Sequence, residues 1–266
     1  MHATKTRSNG SDRRAARTAG KDTLAGVAYP ERIVPDETEP GIVALHLKRY
    51  VFAEPWCRGM DVLDLACGVG YGSAYLAGSA RRVVGADISE EAVAYARTRY
   101  PAPNVEYVVA DAAALPFEAG SFDTVCSFET IEHLPDRHGY LAEVVRVLRP
   151  GGTCIVSTPN AQRTTDHPDN PFHHVELDRT DFAALLRRYF DDVELYGQRR
   201  LQTRRYRLLR HLDVLGLRRR VSFLRRASAL VGTAPVARVA LDGIVIERGD
   251  LGRAKELVAV CSRPRG

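Results

Sequence analysis

The chain has 266 residues, with 38 Lys or Arg against 33 Asp or Glu and a formal net charge of +5. That length holds one α/β domain of ordinary size with an appendage, and no apolar run approaches the roughly 20 residues of a membrane span. Five cysteines, at positions 57, 67, 126, 154 and 261, are odd in number and lack metal-ligand spacing, so they read as reduced core residues of a cytoplasmic protein.

From Met1 to Asp22 the chain is polar and basic, with Arg13, Arg14 and Arg17 but no apolar segment after them. That composition predicts a disordered tail over 1–22 and argues against a secretory signal. Prolines keep Tyr29 to Pro35 extended, and an amphipathic stretch from Ile42 to Phe52 follows, so 23–58 reads as a helical cap segment.

A run of a different kind comes next: Val62-Leu63-Asp64-Leu65-Ala66-Cys67-Gly68-Val69-Gly70-Tyr71-Gly72-Ser73. It predicts a buried parallel strand from about Asp61 to Ala66, a tight turn, and a helix from Tyr71 to Ala77 whose N-terminus points at a ligand. A dinucleotide would require G-x-G-x-x-G, but the third fingerprint position is Ser73. A carboxylate at Asp64 also suits an ammonium-bearing ligand better than a pyrophosphate.

Three further apolar runs end in acids: Arg82 to Asp87, Val105 to Ala110 before Asp111, and Phe122 to Phe128 before Glu129. After Asp87, Ser89 caps a helix with Glu90 and Glu91 in its first turn and Arg97 and Arg99 in its last, matching the helix dipole. A fifth run, Thr153 to Thr158, follows the turn Arg149-Pro150-Gly151-Gly152. Any one strand-end acid is explained by helix capping. Four in succession place carboxylates along the ligand-binding edge of a parallel sheet. Asp87, nineteen residues past Gly68, has the spacing of an acceptor for a ribose diol.

These segments, with Leu115-Pro116-Phe117, Ser121-Phe122-Asp123, Glu132-His133-Leu134 and Leu148-Arg149-Pro150-Gly151-Gly152, resemble the ordered motifs of class I S-adenosylmethionine-dependent methyltransferases. The similarity covers about Met60 to Thr158 and is nearest the branch related to ubiquinone-biosynthesis enzymes. It implies an α/β, Rossmann-like sheet of seven strands, the last antiparallel, with helices on both faces. It also implies S-adenosylmethionine as cofactor and S-adenosylhomocysteine as product. Asp64, Ala66, Gly68 and Gly70 would hold the methionine moiety and Asp87 the ribose. Ile88, Asp111 and Ala112 would hold the adenine, and Phe128 and Glu129 would border the sulfonium. The flanks, including Pro30 to Pro35, His46 to Tyr50 and Asn170 to Leu177, resemble a subgroup found in bacterial glycan and natural-product pathways. Leu45 departs from it, where a glutamate is expected.

Methyl transfer to a hydroxyl requires an aligned nucleophile and a group to take its proton, usually histidine or a carboxylate. His133, just after the fourth strand, and His173 and His174, in a proline-bounded loop after the fifth, are the candidate bases. Each has a plainer alternative: a helix-start residue for His133, pocket lining for the pair. Asp166, His167 and Asp169 have the donor types of a metal cluster but sit in a short polar loop, so they read as solvated turn residues and no metal is expected.

Val193 to Gly197 and Leu257 to Cys261 read as the sixth and seventh strands, so the core spans 59–199 and resumes at 255–266. Between them, 200–254 reads as an arginine-rich helical cap. From Arg199 to Arg226 eleven arginines face a single acid, Asp213, so the rest of the chain is net acidic. Three roles suit that segment: a solvated cap, a lid over an anionic acceptor, or peripheral docking on an acidic membrane face through 199–226. Nucleic acid is not expected, because Tyr206 and Phe223 are the segment's only aromatics. The expected reaction is methylation of a hydroxyl on a sugar, glycan or small natural product. Amino-sugar N-methylation and phenol O-methylation of a quinone type are the alternatives. A non-catalytic binding module would be expected to lack the acids at 64, 87 and 111.

Overall fold

A computed structural model describes residues 32–201 and 240–265. The expected tail over 1–22, most of the expected helical cap over 200–254 and most of the basic stretch 199–226 lie outside these residues. The elements run α1 (Pro40–Cys57), β1 (Asp61–Leu65), α2 (Tyr71–Ala77), β2 (Arg82–Asp87), α3 (Glu90–Arg99), β3 (Val105–Val109) and β4 (Phe122–Phe128). A 3-10 turn at Ile131–His133 leads to α4 (Arg137–Val147), β5 (Leu148–Pro159), α5 (Arg179–Leu186), β6 (Phe190–Arg200), β7 (Ile244–Glu247) and β8 (Glu256–Pro264).

The strands form one sheet in the order β3-β2-β1-β4-β5-β8-β6-β7. The first five are parallel, and β8 inserts antiparallel between β5 and β6. This is the α/β, Rossmann-like arrangement with an antiparallel last strand that the sequence predicts. Chain order reverses between β1 and β4, and a crevice opens there above the carboxyl ends of the strands.

Strand periodicity sorts the core into two layers. Along β1, Leu63 and Leu65 join the larger apolar cluster with Tyr140, Leu141 and Val144 of α4 and Phe182 of α5. Val62 faces the opposite layer, with Ala53 and Cys57 of α1 and Leu76 of α2. Local chemistry fixes the helix starts. Ser89 Oγ accepts from Ala92 N–H at 3.3 Å, and Asp136 and Asp178 each accept two N–H bonds at the starts of α4 and α5. Such a cap contributes on the order of 1 kcal/mol. All five cysteines are free and buried.

Two expectations need correction. The sheet has eight strands rather than seven, and the extra one, β7, falls within the 200–254 segment that was expected to be helical. Ile244-Val245-Ile246-Glu247 is a short β-branched run, and it pairs antiparallel with Gly197 to Arg200, where β6 extends beyond the sequence reading. The expected turn Arg149 to Gly152 lies within β5. Gly151 supplies a positive φ of 79° there, at a register irregularity against β4. Among the described residues, no helix is long and apolar enough to cross a membrane.

Candidate active site

A cleft of about 920 Å³ opens above the switch point between β1 and β4. That is near the upper end of the usual range for small-molecule sites. Its floor is the loop after β1, where Ala66 (φ 60°) and Gly68 (φ 56°) both have left-handed backbone. For a non-glycine residue such as Ala66 that conformation costs on the order of 1 kcal/mol, and it is held by the surrounding structure. Gly68 is open above: a Cβ there would meet nothing within 4 Å. Gly70 is closed, because a Cβ would fall 2.6 Å from Ala96 Cβ and 2.7 Å from the Tyr107 ring. The two glycines of one motif therefore differ in role: Gly68 borders the cleft, whereas Gly70 lets the loop pack on α3 and β3.

Asp87, at the end of β2, accepts from Gly68 N–H at 2.8 Å through Oδ2 and from Ser89 N–H at 3.0 Å through Oδ1. Its carboxylate borders the cleft and keeps lone pairs for two more donors, as a ribose diol requires. Ile88, 55% exposed, projects beside it, and Ala112 and Asp111 stand across from it after β3. An Asx-type bond from Ala113 N–H to Asp111 Oδ1 at 2.9 Å shapes that wall. This apolar slot with a carboxylate at its edge fits a purine base.

Asp64 does not face the cleft. Period-2 alternation along β1 puts it on the same side as Val62, beneath α1 and α2. It is 1% exposed there, and accepts from Ser73 Oγ at 2.6 Å and Tyr50 Oη at 3.2 Å. Burial, opposed by those hydrogen bonds, pushes its carboxyl up to about 7. The expected contact with a ligand ammonium is corrected accordingly: Asp64 ties α1 and α2 under the glycine loop. Ser73, read only as the residue that breaks the dinucleotide fingerprint, is the partner that makes this buried carboxyl tolerable.

A carboxylate that does border the cleft after β4 is Glu129. It follows β4 with a left-handed φ of 52° and accepts from Ser157 Oγ at 2.7 Å. Arg49 of α1, 1% exposed, pairs with it at 3.3 Å and donates to His46 Nδ1 at 3.2 Å. Burial and the adjacent guanidinium lower His46 to about 3, so its ring is neutral. Phe128 and Tyr50 meet edge to face at 4.9 Å on the same wall. Sequence reasoning noted the His46-to-Tyr50 stretch but assigned it no role. The i, i+3 spacing that puts His46 and Arg49 on one helix face was the available signal.

His133, His173 and His174 also border the cleft. His133 Nδ1 bonds the Phe172 carbonyl at 3.0 Å, which makes Nδ1 the donor and leaves Nε2 as the basic nitrogen. The His133 and His173 rings meet edge to face at 4.8 Å. His173 Nδ1 bonds Glu176 at 2.8 Å, and its Nε2 accepts from Asn170 at 3.0 Å. His174 is exposed, and its backbone N–H donates to the Glu132 carbonyl at 2.7 Å, tying this loop to the turn after β4. The Glu132 carboxyl, 1% exposed, accepts from Thr158 Oγ1, and burial together with the nearby Glu129 raises it well above the carboxylate range.

Glu132, His133 and His173 bring potential ligand atoms within 4.8 Å of one another. Both nitrogens of His173 are already hydrogen-bonded, which leaves fewer donors than the three protein ligands of an ordinary catalytic zinc site. Asp166 and His167 have side chains 86% and 93% exposed, in line with solvated turn residues.

The profile of a methyltransferase-domain family matches residues 63–156. A probable S-adenosylmethionine-dependent methyltransferase of Mycolicibacterium smegmatis is 43% identical over 141 residues, 52% of this chain and 54% of that protein. The O-methyltransferase cnsE of Penicillium expansum is 38% identical over 121 residues, 43% of this chain and 42% of that protein. The chain thus spans about half the length of the curated relatives it matches. Among solved structures, a Burkholderia thailandensis 1,6-didemethyltoxoflavin-N1-methyltransferase with bound S-adenosylhomocysteine superposes with TM-score 0.54 at 18% identity, covering 84% of this chain and 79% of that one. This likeness is one of fold. Motif order and sheet topology agree with these likenesses: residues 63–156 carry a methyltransferase domain of the S-adenosylmethionine-dependent kind.

Proposed function

We propose that the protein methylates a hydroxyl group of a sugar, glycan or related small natural product, with His133 taking the hydroxyl proton. The observation that carries this reading is the anchored His133 ring, whose Nδ1–H is spent on the Phe172 carbonyl so that Nε2 can accept a proton. When bound, S-adenosylmethionine supplies a methyl group on a positively charged sulfur.

The chain's own residues do the rest. Asp87, Ile88 and Ala112 orient the nucleoside, and Glu129 holds negative charge at the amino-acid end. The walls formed by Phe128, Leu134 and Phe172 limit water around the reacting groups. Positioning of this kind can supply several kcal/mol, and a placed base contributes about 10²–10⁴-fold in rate. Carboxylates outnumber guanidinium groups along the described cleft lining, which favours a neutral acceptor over an anionic one. The O-methyltransferase name of the Penicillium relative supports the hydroxyl.

The test is an acceptor screen with methyl-deuterated S-adenosylmethionine, read by mass spectrometry, on wild type and His133→Gln. Labelled O-methyl product with wild type and a kcat at least about 100-fold lower with the variant supports the reading. An N-methylated product formed equally fast by both would replace it, because a neutral amine needs no general base.

A further inference from the structure

We infer that His46 and Glu129 form a receptor for an α-amino-acid zwitterion, with Glu129 accepting from the ammonium and His46 Nε2–H donating to the carboxylate. Arg49 is the positioning residue that holds the two together. The inference rests on the cofactor reading above and adds to it two residues, His46 and Arg49, that lie outside the matched domain at 63–156.

The geometry follows from a single guanidinium. Arg49 Nη1 donates to His46 Nδ1 at 3.2 Å, and Arg49 Nη2 pairs with Glu129 Oε2 at 3.3 Å. The guanidinium is a rigid planar fork, so the imidazole and the carboxylate are held side by side at fixed spacing. Because Arg49 cannot accept a hydrogen bond, His46 Nδ1 must be unprotonated and the ring proton must sit on Nε2. Both His46 and Glu129 border the cleft, whereas Arg49 stands behind them, 1% exposed. The cleft therefore presents one fixed donor beside one fixed acceptor in its lining.

The pattern suits a zwitterion better than either ion alone. A lone carboxylate would meet Glu129, and a lone ammonium would meet a donor at His46. A ligand carrying both groups on one carbon can match each to its partner. Ser157 Oγ on Glu129 Oε1, at 2.7 Å, fixes the rotamer that makes this possible.

Isothermal titration with S-adenosylhomocysteine and with 5′-deoxy-5′-methylthioadenosine tests the inference, because the second ligand keeps the nucleoside and sulfur but lacks the amino-acid end. His46→Ala should weaken S-adenosylhomocysteine by about tenfold, about 1.4 kcal/mol, and leave methylthioadenosine unchanged. His46→Gln, which restores an N–H donor, should recover part of the loss. Nitrogen-15 shifts of His46 in the wild type should report Nε2–H. An unaltered ratio between the two ligands, equal weakening of both, or an Nδ1–H tautomer overturns the proposal while leaving the methyltransferase reading intact. Failure of the wild type to bind S-adenosylhomocysteine overturns both.

Discussion

Gly68 N–H donates to Asp87 Oδ2 at 2.8 Å, so the loop after β1 and the end of β2 are joined by a carboxylate that also borders the cleft. The strands beneath them are register neighbours, with Asp64 opposite Gly85 and Leu65 opposite Ala86. Asp87 thus shapes the loop and borders the cleft with one side chain. Asp87→Ala should weaken S-adenosylhomocysteine by about 10–100-fold while lowering stability by about 2–4 kcal/mol, since two charge-assisted bonds to backbone N–H groups, those of Gly68 and Ser89, are lost. Titration calorimetry and urea unfolding would check the two parts separately.

The two glycines of the loop should separate cleanly. Gly68→Ala adds a methyl group that meets nothing within 4 Å, so its stability cost is the left-handed backbone alone, about 1 kcal/mol. It should still reduce ligand affinity, because that methyl projects toward the cleft. Gly70→Ala forces a Cβ to 2.6 Å from Ala96 Cβ and should cost about 2–4 kcal/mol. Thermal denaturation of the two variants side by side would settle the order.

Buried Asp64 predicts a pH signature in stability. Its folded value lies near 7, above its ordinary 3.8, so this carboxyl keeps its proton in the folded state while the unfolded chain loses it. Its contribution is complete below about pH 4, declines as pH rises toward 7, and is flat above that. The swing is on the order of a few kcal/mol. Asp64→Asn should flatten the decline between pH 4 and 7 in denaturant titrations. A wild type whose stability rises across that window, with no difference in the variant, would count against this account.

The histidine loop yields a further prediction. Glu176 and Asn170 hold the His173 ring, and His173 packs edge to face on His133. Glu176→Gln should therefore lower kcat by about 3–10-fold with little change in S-adenosylhomocysteine affinity, because one support of the base is loosened rather than removed. Single-turnover kinetics beside calorimetry would check it.

Much of this arrangement was legible in the sequence because parallel strands buried on both faces read as continuous apolar runs. The acids that end them, Asp87, Asp111 and Glu129, could be placed on one edge by order alone. Ser89 and its flanking charges marked α3 in the same way. What sequence reasoning missed depends on direction. Asp64 stands one residue inside the end of β1, and the strand's alternation turned it away from the cleft toward Tyr50 and Ser73. Arg49 was given no role within the amphipathic stretch Ile42 to Phe52, and its partner Glu129 lies 80 residues downstream in the chain yet beside it in space. β7 escaped because a four-residue strand beside an arginine-rich stretch has too few positions to show its period.

The most direct test of the central claim is titration of the 266-residue protein with S-adenosylhomocysteine, with NAD as the control ligand. The account predicts saturable 1:1 binding of S-adenosylhomocysteine, competed by S-adenosylmethionine and strongly weakened in Asp87→Ala, with no binding of NAD. Absence of S-adenosylhomocysteine binding by the folded wild type, or binding that Asp87→Ala leaves unchanged, would contradict it.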